Sequence, residues 1–339
     1  MKIVYYSVSG ILGRRFWQEA LWHGHTASAV ARAMFCLTGQ NQYRHVAEGN
    51  SRTPDRVASV GTEHVAVDDL FGVLRRHPEF TSQYVIPRHV DVWLPPHYQD
   101  TDRRFPVIYM HDGQNLFDPQ SSFLGVDWGV DEAMQRLTTE QRTRAAIVVG
   151  IWNTPQRSQE YMPQRPLEMS SRARRGTSSA GRAAVRKPIS DRYLKFLLTE
   201  VKPFIDEHYR TLPGREHTFT MGSSMGGLIS LYAVCEYPHV FAGAGCVSTH
   251  WPARGGIVVD CLEKGLPQAG SHKLYFDYGT QTVDALYEPY QQEVDKVMRA
   301  KGYTQGKDWL TLRFEGAEHS ERAWRERVHL PLEFLLGSE

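Results

Sequence analysis

Cysteine is scarce in this chain of 339 residues: Cys36, Cys235, Cys246 and Cys261 are widely separated, and no two form a Cys-x-x-Cys pair. That spacing excludes a disulfide framework and a thiolate zinc site, and leaves the four as packing residues. An excess of one charge is also missing, since 39 Lys and Arg offset 38 Asp and Glu for a net +1. No overall field therefore favours nucleic acid or an anionic membrane as a partner. No apolar run is long enough to span a membrane, and Met1-Lys2-Ile3-Val4-Tyr5-Tyr6 is not followed by a signal-peptide pattern. The expected location is cytoplasmic. There is no internal repeat, and His23 and His25 have no acidic or Cys companion, so they read as a surface pair.

An apolar fraction of 41% and a charged fraction of 23% are those of a globular protein, long enough for one large α/β domain or two ordinary ones. Residues 1–78 carry weak periodicity: Lys2 to Tyr6 is compatible with a strand and Phe16 to Leu37 with a helix. They read as an N-terminal extension of uncertain order. The organised domain is placed at 79–339. Val90 to Leu94 alternates and stops at Pro95-Pro96, the pattern of an edge strand. Pro106 to Met110, Ala145 to Ile151, Ala242 to Val247, Lys273 to Tyr278 and Trp309 to Phe314 read as further strands. Helical spacing recurs at Trp128–Leu137, Asp191–Tyr209, Leu286–Ala300 and Ser320–Leu336. Strands alternating with helices predict an α/β fold with a largely parallel central sheet covered on both faces. Between Arg165 and Lys187, seven basic residues accompany one acid, Glu168, and the segment reads as a solvated, flexible basic insertion.

The chemistry gathers around Met221-Gly222-Ser223-Ser224-Met225-Gly226-Gly227. A β-branched and aromatic run precedes this Gly-x-Ser-x-Gly and a helical run follows it, the setting of a nucleophile elbow. A serine hydroxyl needs a base, and the base needs a group that fixes its tautomer. His319, between the last strand and the last helix, is the candidate base. Asp284 lies in the loop after Gly279 and is the candidate acid, ahead of Asp277 inside the strand pattern and of Glu288. The acid and histidine follow the serine in the order an α/β-hydrolase uses. Oxyanion donors are expected from the backbone amides of Met225 and Gln114, the latter in His111-Asp112-Gly113-Gln114 after the buried strand.

These residues resemble a known family. Met110-His111-Asp112-Gly113-Gln114-Asn115-Leu116-Phe117 with Trp128, Asn153 with Arg157 and Glu160-Tyr161 look like the putative esterase family. So do Gly222 to Gly227, Ser248-Thr249-His250-Trp251 and Gly316-Ala317-Glu318-His319. That family includes enterochelin esterase-like hydrolases, feruloyl esterase modules, S-formylglutathione hydrolase and antigen 85 mycolyltransferases. The resemblance covers about Phe80 to Leu336. It implies an α/β-hydrolase fold, a Ser224–Asp284–His319 triad, and serine esterase chemistry on a small-molecule ester without a cofactor. His250, Trp251 and Trp128 are then expected against the substrate. Acyl transfer to an alcohol and a non-catalytic module on the same fold are the alternatives.

Overall fold

The structure is a computed structural model that describes residues 63–65, 72–169 and 187–337. The chain divides into Met1–Val57 and Ala58–Glu339, and every described residue belongs to the second unit. The strand at Lys2 to Tyr6, the helix at Phe16 to Leu37, the His23–His25 pair and residues 170–186 of the basic insertion lie outside the described residues.

Among the described residues, nine strands form one sheet: β1 (Glu63–Val65), β2 (Val73–Phe80), β3 (Arg88–Leu94), β4 (Val107–His111), β5 (Ile147–Ile151), β6 (Thr218–Ser223), β7 (Gly243–Val247), β8 (Lys273–Gly279) and β9 (Trp309–Phe314). Their order is β1-β2-β3-β5-β4-β6-β7-β8-β9. Strands β4 to β9 run parallel, while β1, β2 and β3 join antiparallel at one side. The helices that matter below are α1 (Val130–Thr139), the short α2 (Arg157–Glu160), α3 (Ser190–Phe196), α4 (Met225–Glu236), α5 (Ile257–Gly265), α6 (Glu288–Ala300), α7 (Glu321–Arg327) and α8 (His329–Leu336).

β4 shows why the central strands read as unbroken apolar runs. Val107 and Tyr109 face the layer built by α3, α4, α5 and α6, while Ile108 and Met110 face that of α1, α7 and α8. Both faces are buried, so no polar residue alternates. The sequence pattern for 309–314 matches β9 residue for residue. The helix expected over Ser320–Leu336 is instead two, broken at Val328.

Two expectations at the antiparallel side are corrected. β3 is an interior strand paired with β2 and β5, and the sheet begins before residue 79. β2 was hidden because Arg75 and Arg76 break its apolar alternation and Pro78 sits in it. The pairing with β3 shifts register between His77 and Phe80, with Glu79 at φ 49°, so Pro78 occupies a bulge where no ladder bond is needed. A chain starting at Pro78 would lose buried Leu74 and His77 and leave β3 exposed as an edge. A chain starting at Ala58 is expected to stay folded and retain ester turnover within about twofold of full length, whereas one starting at Pro78 should precipitate or melt early. Purification of both, followed by thermal melting and an esterase assay, checks this.

Candidate active site

Each functional residue sits at a carboxyl end of a parallel strand, where ligand sites of open α/β sheets form. Ser224 links β6 to α4 at φ 56° and ψ −119°, a backbone conformation that side chains other than glycine avoid. Its amide donates to the Val247 carbonyl at the end of β7 (2.9 Å), and its carbonyl accepts from the His250 amide (3.1 Å). The turn is tight enough that a Cβ on Gly222 would lie 2.9 Å from the Gly226 backbone. A Cβ on Gly226 would make only ordinary contacts, at 3.5 Å to Asp112 and His111, so the steric demand falls on the first glycine alone.

Asp284 lies in the turn after β8 and is fully buried. His319 lies between β9 and α7, and its amide donates to Thr282 Oγ1 (2.8 Å), which ties the two loops together. The imidazole Nδ1 meets Asp284 Oδ1 at 2.6 Å. With the carboxylate accepting, Nδ1 carries the proton and Nε2 is left as a base. Burial by itself would raise the Asp284 pKa, but hydrogen bonds from His319, from Ser248 Oγ (2.6 Å) and from the Gly279 amide (2.6 Å) outweigh it and hold it below the usual value.

Behind this pair is a second layer that sequence reasoning missed. Ser248 Oγ, while donating to Asp284, accepts from Trp324 Nε1 (3.0 Å) and Arg327 Nη2 (2.8 Å). Arg327 is paired with Asp277 at 3.1 Å, both almost wholly buried. Asp277 also accepts from the Ser248 amide (3.0 Å) and from Tyr275 (2.9 Å). Its carboxylate therefore points away from His319 and anchors α7 instead. The edge of Trp324 rests on the His319 ring at a centroid distance of 4.9 Å. The spacing His319-x4-Trp324-x2-Arg327 is the one sequence signal for this layer, since it puts both side chains within two turns of the histidine.

On the other side, Asp112 takes the left-handed turn at φ 60°. Gly113 is required for a different reason: its Cβ would fall 2.4 Å from the Gly150 backbone of β5. The Asp112 carboxylate receives Arg157 Nε and Nη2 (both 2.7 Å) and Asn153 Nδ2 (2.7 Å). Burial would raise its pKa, yet these donors keep it below normal. α2 is fixed in turn by the buried pair of Arg88 and Glu160 (2.6 Å). The Gln114 carbonyl accepts from Ser121 Oγ (2.8 Å), and its side-chain Oε1 accepts from the Asn153 amide (3.1 Å), so this residue is held by both its backbone carbonyl and its side chain.

A family model described as "Putative esterase" matches residues 85–329. The chain belongs to the putative esterase family. It is a carboxylic ester hydrolase on an α/β-hydrolase scaffold. The esterase is 25% identical over 258 residues to YbbA, an uncharacterized protein of Bacillus subtilis (strain 168), covering 74% of this chain and 93% of that one. Among solved structures, a ferulic acid esterase superposes with a TM-score of 0.54 at 17% identity, covering 77% of this chain and 97% of that one. An IroE-like serine hydrolase from Shewanella oneidensis gives 0.58 at 17%, covering 77% and 78%. The enterobactin esterase FES from Shigella flexneri gives 0.56 at 17%, and the aligned region is 77% of this chain but 59% of that one.

Of the residues expected at the site, Asp284 and His319 are in direct contact. Ser224 is tied through its carbonyl to the His250 amide, and the His250 ring in turn meets the Tyr287 hydroxyl through Nδ1 at 2.8 Å, with the Tyr287 ring edge to face with His319 at 5.8 Å. Among the described residues, Ser224 and His319 share no direct hydrogen bond, as is common before substrate binds. His250 is half-buried at the cleft, its pKa lowered to about 4 by burial and then by His319 and Arg157, so it is neutral near pH 7. Trp128 and Trp251 are each 1% exposed. Trp128 packs on Trp324 at 5.4 Å, and Trp251 packs on Phe276 and donates to Gln291 (2.8 Å), so both indoles fill the core.

One acidic cluster stands beside the site. Asp127, Asp131 and Glu132 bring carboxylate oxygens within 4.8 Å of one another, with Arg325 bonded to Asp127 (2.6 Å) and Glu132 (2.8 Å). Burial and then Glu132 push the Asp131 pKa up to about 8. The folded state thus keeps a proton that the unfolded chain releases above its ordinary pKa, and stability falls as pH rises from about 4 towards 8. Asp131→Asn, which keeps a donor towards Glu132 and has nothing to ionise, is expected to melt above wild type near pH 8 and to converge with it near pH 4. Calorimetric melts across that range check the sign.

Proposed function

We propose that Ser224, His319 and Asp284 form the triad of a serine esterase that works through an acyl-enzyme. The observation that carries this reading is the 2.6 Å contact of Asp284 with His319 Nδ1, facing the cleft that the strained Ser224 elbow enters. His319 Nε2 accepts the Ser224 proton as the oxygen attacks the ester carbonyl. It then passes that proton to the leaving alcohol, and finally takes one from the water that cleaves the acyl-enzyme.

The tetrahedral oxyanion is assigned to the amides of Met225 and Gln114. Met225 opens α4, so its N–H lies among the helix-terminal donors that have no acceptor one turn back, and the helix dipole adds positive potential there. Gln114 is supported by the clamps on its own carbonyl and side chain. The Asp112–Arg157–Asn153 cluster holds the loop that presents it.

The substrate class proposed is an ester carrying a hydroxylated aromatic acid. The ferulic acid esterase and the enterobactin esterase crystallised with 2,3-dihydroxy-N-benzoyl-glycine support this reading at the level of a shared fold. His250, half-buried and with its amide bonded to the Ser224 carbonyl, offers a polar contact for phenolic oxygens. Steady-state rates on p-nitrophenyl esters of increasing chain length, methyl ferulate and a dihydroxybenzoyl-serine ester test it. A kcat/KM for the aromatic esters at least tenfold above that for p-nitrophenyl acetate is expected, and a preference for long alkyl chains would refute the class.

A further inference from the structure

Ser248, in the loop after β7, has no exposed surface and so does not reach a substrate, yet its hydroxyl meets Asp284 Oδ2 at 2.6 Å. Its backbone takes φ 40°, in the left-handed region that a residue with a side chain occupies only under constraint. Two neighbours in the same turn hold the nucleophile. The Val247 carbonyl accepts from the Ser224 amide (2.9 Å), and the His250 amide donates to the Ser224 carbonyl (3.1 Å). The Ser248 amide is itself pinned to Asp277 Oδ1 (3.0 Å). One strained turn thus contacts the serine through backbone and the aspartate through a side chain.

The direction of each side-chain bond follows from which groups own protons. Trp324 Nε1 (3.0 Å) and Arg327 Nη2 (2.8 Å) can only donate, so the Ser248 oxygen accepts from both. Both of its lone pairs are then used, and its single proton goes to Asp284 Oδ2. The Gly279 amide donates to the same oxygen (2.6 Å), while Oδ1 is the oxygen that meets His319 Nδ1 (2.6 Å). A turn of the carboxylate would break all three bonds. Arg327 Nη2 lies 4.0 Å from Oδ2, so the hydroxyl stands between a buried cation and the acid.

We propose that Ser248 is a positioning residue whose hydroxyl, fixed by Trp324 and Arg327, holds Asp284 by Oδ2, aims Oδ1 at His319 and keeps Arg327 from pairing with the acid. The inference rests on the Ser224–His319–Asp284 reading. His319 becomes a cation when it takes the Ser224 proton in acylation, and again when it takes a proton from water in deacylation. A carboxylate that has turned, or that has closed on Arg327, stabilises this cation less. Ser248 therefore acts on kcat and leaves substrate binding alone.

The test compares wild type, Ser248→Ala and Ser248→Cys in turnover of p-nitrophenyl acetate, thermal melting and proton NMR of the His319 Nδ1–H. That downfield line is assigned by its loss in His319→Gln, and rates are expressed per site titrated by a fluorophosphonate. Ser248→Ala is expected to lose about 10- to 100-fold in kcat with KM within about twofold, and to shift or lose the Nδ1–H line. Ser248→Cys keeps a weak donor in the same place and should fall between the two. If Ser248→Ala does not fold, the cysteine variant carries the test, with a kcat loss of at least about twofold and a moved line expected. A purely structural Ser248 would lower Tm and leave turnover per titrated site and the line as they are. A kcat loss below about fivefold in folded Ser248→Ala, an unmoved line, or a cysteine variant that misses its own threshold overturns the proposal. A wild type that takes no fluorophosphonate at Ser224 would instead remove the triad reading, and this one with it.

Discussion

Ser224→Ala should turn over p-nitrophenyl acetate more slowly by a factor on the order of 10⁶ in kcat, with its melting temperature unchanged. The size follows from losing covalent catalysis altogether: without Oγ, His319 has no proton to take and the Met225 and Gln114 amides have no adduct to stabilise. What would remain is the water reaction in a prepared cleft. Stability should hold, because Ser224 carries its strain in the backbone (φ 56°), which alanine at this position shares. Fluorophosphonate labelling of wild type and its absence in the variant give a second readout. Turnover within tenfold of wild type would sink the assignment of the nucleophile.

Asp284→Asn should lower kcat on the order of 10⁴, because an amide facing His319 can donate and so favours the wrong tautomer. Asp277→Asn is the control, chemically the same change one strand turn away. Asp277 compensates buried Arg327, and losing its charge is expected to cost on the order of 3–5 kcal/mol, a fall in Tm of about 10 °C for a domain this size, with much smaller loss of kcat in the folded fraction. The two variants should therefore separate cleanly in a plot of kcat against Tm. An Asp277→Asn enzyme that is dead at an unchanged Tm, beside an active Asp284→Asn, would reverse the roles.

The strength of the second prediction comes from what surrounds the two carboxylates. Asp284 is bonded to the histidine; Asp277 is bonded to the arginine, to a backbone amide and to Tyr275. Both are buried, but Asp277 lies within β8 and Asp284 in the turn after it, and their partners differ accordingly. Those partners include His319, Ser248 and Arg327, from the loop after β9, the loop after β7 and α7, dozens of residues away in the chain.

Local signals were enough for the parallel half of the sheet and for the pairing of Asp284 with His319 in its loops. Continuous apolar runs such as Pro106 to Met110 arise because both faces of a central strand are covered, and a Gly-x-Ser-x-Gly between strand and helix encodes a turn that no other local geometry satisfies. Chain order together with a loop position past the carboxyl end of a strand ranked Asp284 as the partner of His319. Local signals failed for β2, where two arginines and a proline tolerated at a bulge erase the alternation, and for β3, whose neighbours could not be read from its own residues. They failed again for Trp128 and Trp251, since an aromatic residue looks the same in sequence whether it lines a cleft or fills a core. The contact of His250 with Tyr287 exists only because the loop after β7 and the start of α6 converge. Hydrogen-bond direction depends on three-dimensional neighbours and their proton count, which a one-dimensional pattern does not carry.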